Sequence, residues 1–206
     1  MMTLEKRKRV YTFSIIILLF ALTAILSVRL YLHITEPEAQ LFPDRFIANE
    51  ERPMLIKCGL GTRNYFYLLN IYTGALYLDK SCNNSTDIIQ ADGYKRMYLH
   101  MLISRISAKK LAKFIESAIV LSTHKMDDAT LADNILALES YLPSLLQNQD
   151  VLMFDYQPEV GTKVIVNNEV KGIIKGKTFN DALLEAWIGD SPISEHFRQQ
   201  LLSEAP

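Results

Sequence analysis

The stretch from Val151 to Gly189 leaves the chain the fewest choices. Val151, Met153, Asp155 and Gln157 alternate with Leu152, Phe154 and Tyr156, the period of two that a strand requires, and Pro158 and Gly161 end the run with a turn. Lys163 to Val166 and Glu169 to Lys175 then read as the arms of a hairpin. They are joined by Asn167-Asn168, a pair that tolerates the positive φ angles of a tight turn. Thr178 with Asp181 three residues on predicts a helix start, and Phe179, Ala182, Leu183, Ala186 and Trp187 recur at i, i+3, i+4, i+7 and i+8. That spacing puts Trp187 on a buried face, and Gly189 and Pro192 stop the helix.

Upstream, Met54 to Cys58 predicts a short strand and Arg63 to Leu78 a long one carrying Tyr65, Tyr67, Tyr72 and Tyr77, with Gly59 to Gly61 as the turn between them. The Gly-x-Gly lacks the third glycine and the following helix of a dinucleotide loop. Tyr94 to Ile103 continues as strand. Ser107 caps a helix whose apolar face is Leu111, Ala112, Ile115, Ala118 and Ile119. A second helix should run from about Asp128 to Leu146, burying Leu131, Ile135, Leu138, Leu142 and Leu145, with Pro143 bending or shortening it and Asp127-Asp128 complementing its dipole. This order of elements predicts an α+β fold, an antiparallel sheet with helices packed on one face.

The first residues set a different expectation. Glu5 to Arg9 is a charged block, and Val10 to Val28 is an uncharged apolar run of nineteen residues closed by Arg29. As a helix such a run is about 28 Å long, close to the thickness of a bilayer's hydrocarbon core, and it exceeds a signal peptide's apolar region, with no clean A-x-A after it. The expected organisation is a cytoplasmic basic tail over 1–9, one transmembrane anchor over 10–28, a tether over 29–51 and a single domain over 52–206. The excess of basic residues before the run places that domain outside the cytoplasm, so that the chain is single-pass in the inner (cytoplasmic) membrane with its C-terminal domain in the periplasm.

Two sets of residues carry a family resemblance. Tyr156-Gln157-Pro158-Glu159-Val160-Gly161-Thr162, the asparagine hairpin, and Phe179 followed by Ala182-Leu183-Leu184, Trp187-Ile188-Gly189 and Pro192 form the first. Gly59-Leu60-Gly61-Thr62-Arg63 with Tyr72 and Ala75-Leu76-Tyr77-Leu78 form the second. In order and spacing they resemble the chalcone isomerase-like family in its bacterial form, over roughly residues 53–203. The resemblance implies that Arg63, on sequence grounds either a solvated turn residue or a cationic anchor at the mouth of an apolar cleft, orients an anionic ligand: a phenolate in the plant isomerases, a carboxylate in fatty-acid-binding relatives. It also implies where catalytic groups would stand. A threonine of the enzymes falls at Tyr72, with Thr73 adjacent, their Thr or Ser before Ile-Gly falls at Ala186, and their helical tyrosine and asparagine fall at Leu111 and Ala118. Hydrocarbon at three of these places counts against an inherited isomerase mechanism, in which such groups polarise the ketone.

The expectation is a non-catalytic binder of a small amphipathic or fatty-acyl ligand, with Arg63 and either Tyr72 or Thr73 as its polar contacts. A flavonoid-type isomerase and a structural or partner-binding envelope protein are the alternatives. His33, His100, His124 and His196 are too scattered for a metal site, no cofactor motif is present, and a net charge of −1 without a basic stripe argues against nucleic acid. Cys58 and Cys82 could be bridged in an oxidising compartment or stand apart.

Overall fold

The computed structural model describes residues 17, 19–25, 27, 41–48, 52–65, 69–80, 82, 84–122 and 127–203. The chain forms two compact units, Met1–Pro43 and Asp44–Pro206. In the first unit residues 17, 19–25 and 27 are helical and exposed, among them Ile17, Leu19, Phe20, Leu22 and Ile25. The remainder of the expected 10–28 anchor lies outside the described residues, as do the 1–9 tail and most of the tether. Among the described residues no helix is long and apolar enough to cross a membrane.

The second unit is built on a seven-stranded antiparallel sheet, β1 (Arg45–Phe46), β2 (Leu55–Tyr65), β3 (Leu69–Leu78), β4 (Lys95–Met101), β7 (Val151–Gln157), β8 (Gly161–Val166) and β9 (Glu169–Ile174), in that spatial order. A small pair, β5 (Arg105–Ser107) and β6 (Leu145–Gln147), stands apart from it. The C-terminal half follows its sequence pattern: Asn167 and Asn168 adopt φ of 50° and 69° in the β8–β9 turn, and β7 pairs Phe154 with Val164 and Met97 on its two sides.

Five helices complete the unit: α1 (Ser85–Gln90), α2 (Ala108–Ser122), α3 (Asp128–Tyr141), α4 (Thr178–Ile188) and α5 (Glu195–Leu201). They pack on the sheet face that carries Gly61, Gly74, Leu99, Phe154 and Gly172. A β-carbon on Gly61 or Gly74 would meet Phe197 of α5, and one on Gly172 would meet Tyr141 of α3. The central helix, α4, buries Asn180, Leu184 and Ile188 as well as the predicted stripe of Phe179, Ala182, Leu183, Ala186 and Trp187. It lies against α1, α2, α5 and β8, so an amphipathic pattern understates its burial.

Four local expectations are corrected. Gly59 to Gly61 is not a turn but the middle of β2, which runs unbroken to Tyr65. Glycine is required there by the helix above: a β-carbon on Gly59 would sit 2.2 Å from the Gln200 carbonyl oxygen, a separation no packed atom tolerates. Leu145 is not on a helix face. The chain leaves α3 at Leu142, before Pro143, and Leu145 is an exposed residue of β6. α4 does start at Thr178 with Asp181 in its first turn, as expected, but without a capping bond: Lys177 holds the cap position with no side-chain cap bond, and its ammonium holds Asp181 at 2.6 Å. Finally Arg45–Phe46, inside the 29–51 stretch read as a tether, adds a strand to the sheet edge by pairing with Leu55 and Ile56. By contrast, Ser107 accepts from the Lys110 amide, the cap expected of α2, and Asp127, expected only as a charge at the start of α3, also caps it by accepting from the Thr130 amide.

Cys58 and Cys82 are joined by a disulfide, their Cα atoms 5.6 Å apart. Strand register explains how residues so placed in sequence meet. Lys57 pairs with Tyr77 and Gly59 with Leu76, leaving Cys58 as the extra residue of a bulge. A bulge re-aims the side chain it carries.

Candidate functional site

A cavity of about 260 Å³ opens between the β2–β3 hairpin and the helices α2 and α4. Its wall is almost wholly hydrocarbon: Ile71 and Leu99 from the sheet, Leu111, Ile115, Ala118 and Leu121 from α2, Leu183 and Ala186 from α4, with Ile193 beyond. The polar exceptions are few. Arg63, Tyr72, Ser117 and the indole of Trp187 supply them, and the Phe114 ring of α2 completes the lining.

Strand geometry brings Arg63 and Tyr72 together. They are direct cross-strand partners of β2 and β3, and partners in an antiparallel pair share a face. Just beyond them the register slips, since Arg63 pairs with Tyr72 but Asn64 with Asn70. Ile71 is thus the extra residue, and both Ile71 and Tyr72 line the cavity. Thr73, the other residue expected to contact a ligand, is placed elsewhere. Its side chain lies on the opposite face, where its hydroxyl is 3.1 Å from that of Thr62, because successive strand residues alternate.

The polar groups at the mouth are a guanidinium and a buried phenol. The Arg63 guanidinium donates to the Asn64 carbonyl, and no carboxylate among the described residues pairs with it. Tyr72 is buried, which pushes its phenol up to about 12 against the opposing pull of the Trp187 hydrogen bond and the Arg63 charge. It therefore remains a neutral O–H donor at physiological pH. The Trp187 Nε1–H donates to the Tyr72 oxygen at 3.1 Å, so the phenol's own proton is left for an acceptor in the cavity. Trp187 is a core residue as its helical position predicts, packed against Phe154 with ring centroids 5.8 Å apart, and it is a cavity wall as well.

Sequence reasoning did not assign Phe114, Ser117 and Leu121 to the site. The signal was present, because Leu111, Phe114, Ala118 and Leu121 recur at i, i+3, i+7 and i+10 and form a second apolar stripe beside the one that faces the core. The described residues contain no group of side chains able to hold a metal ion.

Residues 42–203 match the family model described as chalcone isomerase-like. The chain belongs to the chalcone isomerase-like family. Its fold is similar to that of a solved Arabidopsis thaliana fatty-acid binding protein, with a TM-score of 0.64 at 14% identity, covering 80% of this chain and 92% of the other. No curated protein sequence matches the chain. Tyr72, Leu111, Ala118 and Ala186, the four positions singled out by the sequence resemblance, all line the cavity.

Proposed function

We propose that this domain is a non-catalytic binder of a small amphipathic or fatty-acyl ligand, which lies in the cavity with its anionic head between Arg63 and Tyr72. The observation that carries the reading is Arg63: a guanidinium at the mouth of an apolar cavity, with no carboxylate partner among the described residues. Such a charge is costly to hold beside hydrocarbon unless an anion meets it, and a guanidinium and a phenol O–H are the donors a carboxylate accepts from. The fold's likeness to a plant fatty-acid binding protein supports the same class of ligand. The cavity's 260 Å³ lies near the lower end of ligand sites, which span about 300–1,000 Å³, and so favours a short or medium acyl chain.

An isomerase is not favoured. Leu111, Ala118 and Ala186 offer the cavity only hydrocarbon where a polarised ketone would need donors. The domain is proposed to work outside the cytoplasm, held to the inner membrane by the 10–28 run. The Cys58–Cys82 bridge and the exposed apolar side chains of Ile17, Leu19, Phe20, Leu22 and Ile25 support that placement.

The test is calorimetric binding of medium-chain fatty acids to the full-length protein in detergent, with Arg63→Ala and Tyr72→Phe as comparisons. Charge-assisted hydrogen bonds contribute about 1.5–3 kcal/mol, so Arg63→Ala should weaken binding ten- to a hundredfold, and Tyr72→Phe by several-fold. Equal binding by all three proteins, or none by any, would transfer the cavity to the structural or partner-binding reading. Conversion of a chalcone to a flavanone by the parent would establish the isomerase.

A further inference from the structure

Helix α2 carries more than the cavity wall. Phe114 and Leu121 line the cavity and yet are 46% and 77% exposed, and Val120 beside them is 51% exposed. Solvated polar side chains would be expected there, since the rest of the helix already buries Leu111, Ala112, Ile115 and Ile119 against the core. Along the same helix Lys109, Lys110 and Lys113 are exposed; Glu116, which pairs with Lys113 at 2.6 Å, and Glu139 of α3 line the same groove, which leaves the lysines in excess. The Lys110 ammonium stands 5.8 Å from the centre of the Phe114 ring, so charge and apolar surface adjoin.

We infer that this face of α2 is a docking surface for an anionic lipid bilayer, with Phe114, Val120 and Leu121 entering the acyl boundary, Lys109, Lys110 and Lys113 meeting headgroup phosphates, and the cavity mouth opening onto the membrane. The pairing of large apolar side chains with a basic flank is the composition of an interfacial helix. Long lysine stems let the ammonium groups reach phosphates while their methylenes follow the apolar rim. Location decides between a bilayer and a protein partner. On α2 the exposed apolar groups are Phe114 and Leu121, which line the mouth, and Val120, next to Leu121 in the chain; the mouth is where a poorly soluble acyl chain would cross without entering water. The sequence also keeps a bilayer within reach: between the 10–28 run and the strand at Arg45, residues 29–44 can extend to about 55 Å at most. The role as a loading port rests on the proposed acyl-binding function, but docking itself is measured without ligand.

The experiment uses the full-length protein with vesicles of phosphatidylcholine and phosphatidylglycerol, some lipids carrying a doxyl quencher on the acyl chain. An environment-sensitive fluorophore is placed at Val120→Cys, and a control at Lys171→Cys on β9; the native cysteines are bridged and do not react. The doxyl lipid should quench the Val120 probe and spare the control. In the triple variant Lys109→Glu, Lys110→Glu, Lys113→Glu, the docked-to-free ratio should fall at least about tenfold, each lysine near an anionic surface being favourable by itself. High salt should act in the same direction. No lipid quenching at Val120 in the parent overturns the inference. So does shielding from aqueous iodide without lipid quenching, the result that a second copy or another protein on the patch would give. A parent that docks but binds no fatty acid leaves the surface standing and removes the acyl-binding reading.

Discussion

Lys95 shows how one residue can read as ordinary in sequence and be unusual in space. It falls in a strand among apolar residues, and its side chain is only 3% exposed. Burial, with the charge of Lys177 nearby, lowers its ammonium to about 8 in spite of Asp181, whose carboxylate is 3.9 Å away. Both lysines donate to the Ile89 carbonyl at the end of α1, at 3.0 and 2.8 Å, so the pair ties that helix to α4. The sign of the pH effect follows from the lowered value. Between the folded value near 8 and an unfolded value of about 10.4, the unfolded chain binds more protons, and stability rises with pH. The buried phenol of Tyr72, raised to about 12, acts in the opposite sense only above pH 10. Chemical denaturation at pH 7.5 and 9.5 should therefore show the protein gaining about 1–2 kcal/mol across that window, and Lys95→Met should flatten the rise. An unchanged slope in the variant would mean that Lys95 does not titrate there.

At the scale of elements, the decisive contact is α5 against the β2–β3 hairpin. Gly59, Gly61 and Gly74 let a helix lie directly on strand backbone: the Thr62 amide donates to the Gln200 side chain at 3.1 Å, and Phe197 packs edge-on to Tyr72 with centroids 5.6 Å apart. The hairpin that holds Arg63 and Tyr72 is thus positioned from above by the last helix. Gly59→Ala should cost about 1–3 kcal/mol, the usual range for overpacking, and should also lower ligand affinity, since displacing α5 moves the Tyr72 ring. Thermal melts and binding titrations of the same preparation check both. A variant that melts like the parent would show that α5 yields without strain.

For the whole domain, the Cys58–Cys82 bridge closes β2 onto the segment after β3, across a sequence separation of 24. Closing a loop of that length should contribute about 3 kcal/mol, chiefly by restricting the unfolded chain. Reduction with a membrane-permeant thiol should lower the melting temperature, and Cys58→Ser with Cys82→Ser should reproduce the loss without reductant. The same bridge gives the proposed topology a readout. In cells the cysteines should resist alkylation until the protein is reduced, and a reporter fused at Pro206 should be active only outside the cytoplasm. Ready alkylation in intact cells, or activity of a cytoplasmic reporter, would overturn that placement.

Local pattern alone determined the C-terminal strand, the asparagine turn, the capped start of α2, the position where α3 starts and the buried face of α4, because each depends on residues within a few positions of one another. It also carried the family resemblance, and with it the place of Arg63. Tertiary structure decided what depends on residues far apart in the chain. Gly59 and Gly61 read as a turn because glycine is the usual turn residue, whereas their real constraint is α5, some 140 residues on. Tyr72, not Thr73, faces the cavity because strand alternation was legible but its phase was not; register with β2 and the bulge at Ile71 set it. Asp181 is legible as a residue of the helix start, but its lysine partners Lys177 and, more distantly, Lys95 depend on the fold. The disulfide, open on sequence grounds, forms because a bulge turns Cys58 toward a segment that only the folded sheet brings within 5.6 Å.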